Sequence, residues 1–583
     1  MTNSITACSL DCYDACAVTY DAGRLKAFKS GHTQGFLCPH LNHYEKFETI
    51  SIPRYKGEKI TLDEALVKLK ELLMSSNKDE ILHYRGSGNF GLMQEVTDHF
   101  FSSCGATLTD GTLCDGAGEA GIIKGRGSNK NMPLSEIAKS DVVITWGRNP
   151  HVTSSHLLPL IKDKEIIVID PVKTKIAKAA DLHIQIKPHS DLYLAMILTH
   201  FFHMNHDCDT EYLNGRASGF EDFYELAQSI NTQAVLEDIG ATFGQIEKVL
   251  EILHNKKVAI VCGVGIQKYS DGADVMRAID AFAVTLGLFG KEGCGVSYLG
   301  NSKEGISSPF NSEAKRVSKV NTEFSNFKTV FIQGANPLQQ MPDSLRVKKS
   351  ISRVENLVYF GLYENETSEI ADLVIPAKSF LYKDDVRTSY SHNAMMNMSK
   401  VAQGESGISE YDLSAYLCKE FAIELESEEF YLEHFKSFCV EKTDGSFRVK
   451  DREAIPYRDY FDTQTREFLF LREFEPYSFK NEGLYLITPK SAKSLNSQFN
   501  REEYVYLHSS LGFADDSEVT VSSINGTVTL PVKNSDNLRE DCVLIYSGTR
   551  GVNNLTSSKH SSEGKSAIFQ ENRVQITQAS KLK

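Results

Sequence analysis

No apolar run in the 583 residues approaches the ~18 needed to cross a bilayer as a helix. A basic excess is missing too, since 63 Lys and Arg face 77 Asp and Glu for a net charge of −14. That balance disfavours nucleic acid or an anionic membrane as main partner, because binding phosphate needs cations. Cysteine is sparse for the length. Of twelve cysteines, eight are scattered from Cys104 to Cys542, which suits a reducing compartment and not a disulfide scaffold. The seven residues before Cys8 hold neither Lys nor Arg. That leaves no room for a secretory or twin-arginine leader and predicts a cytoplasmic protein. Solenoid repeats and low-complexity tracts are also lacking.

What is present starts with four cysteines. Cys8, Cys12 and Cys16 are each separated by three residues, and Cys38 follows inside Gly35-Phe36-Leu37-Cys38-Pro39. Four thiolates meet the needs of a cubane [4Fe-4S] cluster. A structural zinc site usually brings two short Cys pairs, so the lopsided spacing fits zinc less well. Unrelated buried thiols are the third reading.

Hydrophobic content of 41% and charged content of 24% are those of a soluble globular protein. The length predicts several domains. Thr61 followed by Asp63 and Glu64 predicts a capped amphipathic helix to about Met74. Beyond it, short apolar runs repeatedly end in Gly, Asn, Asp or Pro. Ile81–Tyr84 runs into Arg85-Gly86-Ser87-Gly88. Val142–Thr145 runs into Trp146-Gly147-Arg148-Asn149-Pro150, and Ile166–Ile169 into Asp170-Pro171. Val258–Val261 runs into Cys262-Gly263, and Val330–Ile332 into Gln333-Gly334-Ala335-Asn336-Pro337. Continuous β-branched runs predict parallel strands buried on both faces, whose carboxyl ends bind ligands. The set predicts an extended, nucleotide-like ligand.

Gly86-x-Gly88-x-x-Gly91 copies the outline of a nicotinamide dinucleotide fingerprint. No clear second strand–helix–strand unit with an acid at the expected distance follows, so that match stands alone. From about 481, short strands with Asn525-Gly526 between two of them predict a separate β-rich domain, most simply a barrel.

Together these residues resemble the molybdopterin oxidoreductase family, enzymes of molybdenum or tungsten carrying bis-molybdopterin guanine dinucleotide (bis-MGD). The resemblance covers nearly the whole chain. It implies an α/β multidomain fold: a [4Fe-4S] domain over 1–55, central α/β domains over 56–480 with an inserted Rossmann-like part at about 107–300, and a dinucleotide-binding barrel over 481–583. It implies Cys8, Cys12, Cys16 and Cys38 as cluster ligands. Tyr84 to Gly91 matches a pterin-contacting loop, bringing in Arg85, Gly86 and Gly88. Gly147, Arg148, Asn149, Asp170, Thr174, Gly334, Asn336 and Asp372 fall in dinucleotide-contacting segments, and Gly263, at the end of the Val258–Val261 run, is read as a further cofactor-binding strand end. Lys490 and Asn496 lie in the matching barrel segment, Thr488 to Phe499. Backbone N–H groups at Gly-rich strand ends suit phosphates. Asp170 is expected to accept from a guanine edge.

In the family a Cys, selenocysteine or Ser binds the metal just past the first α/β unit. Cys114, in Leu113-Cys114-Asp115-Gly116, sits at that place, and a soft thiolate suits the centre. Two departures matter. His40 stands where a Lys between cluster and pterin is common, so its charge would follow pH. Asp115 stands where formate dehydrogenases of the family have His; as a bare residue it reads as solvent-facing. The polar run Lys383 to His392 offers Arg387 as an anion holder and His392 as a proton carrier at the catalytic site. The implied activity is two-electron oxidation or reduction of a small substrate, with electrons passed singly to or from a partner protein. The rivals are a non-redox hydratase or hydroxytransferase on the same cofactor, and a pterin-free electron-relay subunit like the large subunit of respiratory NADH dehydrogenase complexes.

Overall fold

The computed structural model describes residues 5–29, 33–88, 90–404, 406–442, 446–450, 452–479 and 482–579. Asn89, inside the expected pterin loop, and the expected 480/481 domain boundary lie outside them.

The N-terminal cysteines hang from a small antiparallel sheet of Ile5–Ala7, Ala17–Asp21 and Arg24–Ala27. Cys8 N–H donates to Cys16 O at 2.8 Å, closing the loop between the first two strands.

Two parallel sheets follow, as the β-branched runs predict. The larger has eight strands in the order Arg316–Ser318, Thr107–Asp110, Ile81–Arg85, Thr329–Gln333, Asn356–Gly361, Leu373–Pro376, Arg54–Tyr55 and Glu58–Lys59. The first six are parallel; the two N-terminal strands join antiparallel at the edge. The smaller sheet is wholly parallel: Leu182–Ile184, Glu165–Ile169, Val142–Trp146, Val258–Cys262 and Gly295–Ser297. Val142, Val143, Ile144 and Trp146 are all fully buried, which is why these runs show no polar alternation.

Thr107–Asp110 pairs with Ile81–Arg85 in the larger sheet, and Val142–Trp146 is the first strand of the smaller one in chain order. Arg54–Tyr55 likewise belongs to the larger sheet. The helix after Thr61 runs Leu62–Met74, with the Thr61 hydroxyl accepting from Glu64 N–H and the Glu64 carboxylate returning to Thr61 N–H.

Leu484–Ile487, Cys542–Leu544, Val505–Leu507, Thr527–Asn534, Glu518–Ser522 and Arg573–Gln578 close into a six-stranded barrel. Asn525-Gly526 turns the hairpin between two of them. The polar run at 383–392 is in part a buried strand, Asp385–Thr388, pairing with Ala394–Met398 in a four-stranded antiparallel sheet.

Candidate functional site

The carboxyl ends of both parallel sheets open on one cavity of about 940 Å³, which the barrel closes from the other side. The two sheets present the same device to it. Gly263 N–H donates to Trp146 O at 2.7 Å, and Gly86 N–H donates to Gln333 O at 2.8 Å. Each glycine ends a strand and presses on its neighbour's turn. A Cβ on Gly263 would strike the carbonyl of Gly147, and one on Gly86 the carbonyl of Gly334. Gly147, Gly334 and Gly88 take positive φ of 60°, 54° and 56°, the left-handed region that favours glycine. These turns expose backbone to a ligand at close range.

Gly86, Gly88, Gly147, Arg148, Asn149, Asp170, Thr174, Gly263, Gly334 and Asn336 all line the cavity, as do His40, Lys490, Asn496, Cys12 and Cys114. Arg148 Nε, Asn149 Oδ1 and Tyr84 Oη are buried without hydrogen-bond partners. Buried polar atoms are normally satisfied, so these walls suit a large ligand rich in donors and acceptors.

Four expected side chains are placed elsewhere. Arg85 spends its guanidinium on Asp98, with Nη2 donating at 2.6 Å and Nε at 3.1 Å; the cavity meets the backbone beyond it. Asp372 precedes strand Leu373–Pro376 and accepts from Leu357 N–H at 2.8 Å. It is at the amino end of a parallel strand, away from the ligand end. Arg387 is 1% exposed on its strand, donates from Nη2 to Leu10 O at 3.0 Å and Cys12 O at 3.1 Å, and lies over the Phe90 ring. It holds the cysteine loop instead of facing a substrate. His392 Nε2–H donates to Asp14 O at 2.8 Å and Nδ1 accepts from Ala394 N–H, in a separate small pocket. The strand pairing turns both side chains onto the cysteine loop.

Two carboxylates, Asp170 and the buried Asp191, line the same cavity. Asp170 is pushed up to about 7, above all by burial, with Asp191 adding to the rise. Its Oδ1 accepts from Val172 N–H at 2.8 Å. Asp191, pushed up to about 6 by burial, accepts from the indole of Trp146 at 2.7 Å. The sequence reading missed Asp191; its only signal is a position opening a buried helix, Asp191–Met204.

Around Cys114 the electrostatics are mixed. Burial first, then Asp115, pushes the Cys114 thiol up to about 12. Asp115 lines the cavity and is not the solvent-facing acid expected; burial and then Glu119 push it up to about 6. Lys268 donates to Leu113 O, and burial brings it down to about 8. Asp11, in the cysteine loop, receives Asn496 Nδ2–H at 2.8 Å and Lys490 Nζ at 3.3 Å. His40 Nε2–H donates to Ser494 O at 3.2 Å, and burial lowers its pKa. His40 therefore favours the neutral form over a lysine-like charge.

All twelve cysteines are free. Cys8, Cys12 and Cys38 all raise the pKa of Cys16, after burial and Asp14, so the fold gathers the four thiols. Among the described residues, Asp14, Cys16 and His156 form the one set of three or more ligand atoms mutually within 4.8 Å.

Comparison with known proteins agrees with this layout. Residues 62–413 match the molybdopterin oxidoreductase family model, and residues 484–572 match the molybdopterin dinucleotide-binding domain. The probable oxidoreductase YyaE of Bacillus subtilis (strain 168) is 26% identical, over 85% of this chain and 82% of that protein. Formate dehydrogenase H of Escherichia coli (strain K12) is 23% identical, over 46% of this chain and 43% of that protein. The solved acetylene hydratase from Pelobacter acetylenicus superposes with a TM-score of 0.81 at 14% identity, covering 98% of this chain and 100% of that one; at that identity the likeness is one of fold. Two matching family models laid over the two sheets and the barrel that enclose one cavity identify the chain as a member of the molybdopterin oxidoreductase family.

Proposed function

We propose that the chain is a bis-MGD oxidoreductase that exchanges two electrons with a small substrate and passes them through one [4Fe-4S] cluster. The observation that carries this reading is that Cys12 and Cys114 line the same cavity. A proposed cluster ligand and a proposed metal ligand thus face one cavity of about 940 Å³.

The metal–pterin group, when bound, supplies the two-electron chemistry. The residues do the rest. Gly86 and Gly334 on one sheet, and Gly147 and Gly263 on the other, offer backbone to one dinucleotide each. Asp170 would accept from a guanine edge. Cys114 Sγ would hold the metal as a thiolate. Lys268 holds the ligand loop by its bond to Leu113 O. Asp115, beside Cys114 and lining the cavity, is placed to hold a proton that substrate gains or loses. Cys8, Cys12, Cys16 and Cys38 hold the cluster, and Arg387 fixes their loop through Leu10 O and Cys12 O. A partner protein receives or donates the single electrons. Several relatives are named as subunits, among them the F420-dependent formate dehydrogenase subunit alpha of Methanocaldococcus jannaschii and the assimilatory nitrate reductase catalytic subunit of Bacillus subtilis (strain 168).

Anaerobically purified protein should hold about four irons and four sulfides per chain for one cubane cluster. It should also carry molybdenum or tungsten and release GMP on acid hydrolysis. A substrate screen run with and without an electron-accepting dye separates this reading from a hydratase, the activity named for the acetylene hydratase of like fold. Stoichiometric zinc without iron, no released GMP, or turnover that ignores the dye would each reject it.

A further inference from the structure

Lys319 follows strand Arg316–Ser318, at the carboxyl end of the outermost parallel strand of the larger sheet, and its backbone N–H donates to Asp110 O at 2.8 Å. Its side chain lines the cavity and places Nζ over the Tyr84 ring, 5.9 Å from the centroid. Among the described residues the ammonium has no hydrogen-bond partner and no carboxylate at ion-pair distance. The two acids that draw on it, Asp98 and Asp110, are engaged by other cations. Asp98 receives Arg85 Nη2 at 2.6 Å, and Asp110 Oδ2 receives Lys565 Nζ at 2.6 Å. By contrast, Lys383 and Lys490 on the same cavity are paired with Glu410 and Asp11. Burial above all, then Arg85, brings Lys319 down to about 8. Tyr84, 2% exposed, also lines the cavity, and among the described residues its Oη has no partner. A cation lacking a counter-charge and a phenol lacking an acceptor thus share the cavity with the Gly86–Gly88 turn, which begins two residues past Tyr84.

We propose that Lys319 and Tyr84 bind the diphosphate of the dinucleotide held by the larger sheet. The ammonium is the counter-charge to the phosphoryl oxygens, and the phenol O–H donates to one of them. The inference rests on the cofactor reading above and adds a side-chain anchor to the backbone that Gly86 and Gly334 offer. The donor chemistry selects the diphosphate. A guanine or pterin edge presents donors and acceptors together, whereas phosphoryl oxygens only accept, and an ammonium only donates. A lysine beside a glycine-rich strand end combines exposed backbone N–H groups with a point charge, the pairing that suits phosphate. In the cofactor-free chain the same ammonium costs stability, because burial disfavours a cation with no partner.

The test is the nucleotide content of the full-length protein, read as GMP released by acid per chain. Lys319→Met should release half the wild-type amount or less. Lys319→Arg keeps the charge and should stay close to wild type, and Tyr84→Phe should fall between the two. Cofactor-free Lys319→Met, made in a host that cannot synthesise molybdopterin, should unfold at a higher temperature than cofactor-free wild type. A lysine with a merely structural role would not give these opposite signs. Wild-type GMP content in Lys319→Met, or a lower unfolding temperature in its cofactor-free form, overturns the proposal. If Lys319→Met does not accumulate, the wild-type protein decides. Acetylation of Lys319 by acetic anhydride, mapped by mass spectrometry, should be at least tenfold slower in the loaded chain than in the cofactor-free chain, and equal rates overturn the proposal. Wild-type protein that releases no GMP would instead reject the cofactor reading itself, and the inference with it.

Discussion

Lys490 Nζ lies 3.3 Å from Asp11 Oδ2, joining side chains 479 positions apart. One belongs to the barrel and the other to the loop between Cys8 and Cys12. Asn496 Nδ2 donates to the same oxygen at 2.8 Å. The pair is part-exposed, so its contribution is modest. In a double-mutant cycle of Asp11→Asn and Lys490→Met, the coupling should be about 1 kcal/mol in thermal unfolding. Additive single mutants would show that the pair does not tie barrel to loop.

Cys114→Ala should abolish turnover and metal retention while leaving iron and sulfide in the protein unchanged. Cys114→Ser should keep a weaker, altered centre, since an oxygen donor is harder than a thiolate. A metal-edge spectrum of wild-type protein should show protein sulfur in the first coordination shell. Full activity in Cys114→Ala would remove the assignment.

Gly263→Ala should lower the unfolding temperature and the GMP content per chain together. The added methyl strikes the Gly147 carbonyl, and backbone cannot step aside as a flexible side chain can. Overpacking of this kind costs roughly 1–3 kcal/mol. Gly244, on an exposed helix surface with nothing within 4 Å of an added Cβ, provides the control: Gly244→Ala should be neutral or slightly stabilising. Equal nucleotide content in all three proteins would count against the role given to these strand ends.

Asp385 gives a pH dependence with a definite sign. Burial above all pushes its carboxyl up to about 7, against the opposing pull of Lys383 and of Met93 N–H at 2.9 Å. Its Oδ2 is buried with no partner. The folded pKa exceeds the unfolded value of 3.8. The folded state therefore binds the proton more tightly, and this group costs stability progressively as pH rises from about 4 to 7. Asp385→Asn should raise the unfolding temperature at pH 8, by the equivalent of up to about 4 kcal/mol, and have little effect near pH 4. The opposite trend would show that the carboxylate is stabilised as an ion.

Much of this was legible because the signals are local. The β-branched runs became the strands of the two parallel sheets, and the Gly and Asn residues after them became the cavity wall. The Thr61 cap and the Asn525-Gly526 turn were legible for the same reason: each depends on neighbours in sequence. What was not legible depends on distant pairing. Thr107–Asp110 reads equally well in either sheet, and only its partner Ile81–Arg85 decides. Arg387 and His392 look like site chemistry in a polar run, yet the strand pairing Asp385–Thr388 with Ala394–Met398 aims them at Leu10, Cys12 and Asp14.

The cavity wall draws on the chain from Ser9 to Gln570. Chains emerge from the ribosome at roughly 5–20 residues per second, which puts synthesis of this one at about 30–120 s. For nearly all of that time the far wall does not yet exist. Loading must therefore follow translation, and every newly made chain passes through a hollow stage. A ligand that binds only the closed form holds it shut in proportion to RT ln(1 + [L]/Kd). Scarcity of the cofactor should accordingly appear first as shortened half-life of the polypeptide in pulse–chase, before any loss of specific activity in the molecules that survive.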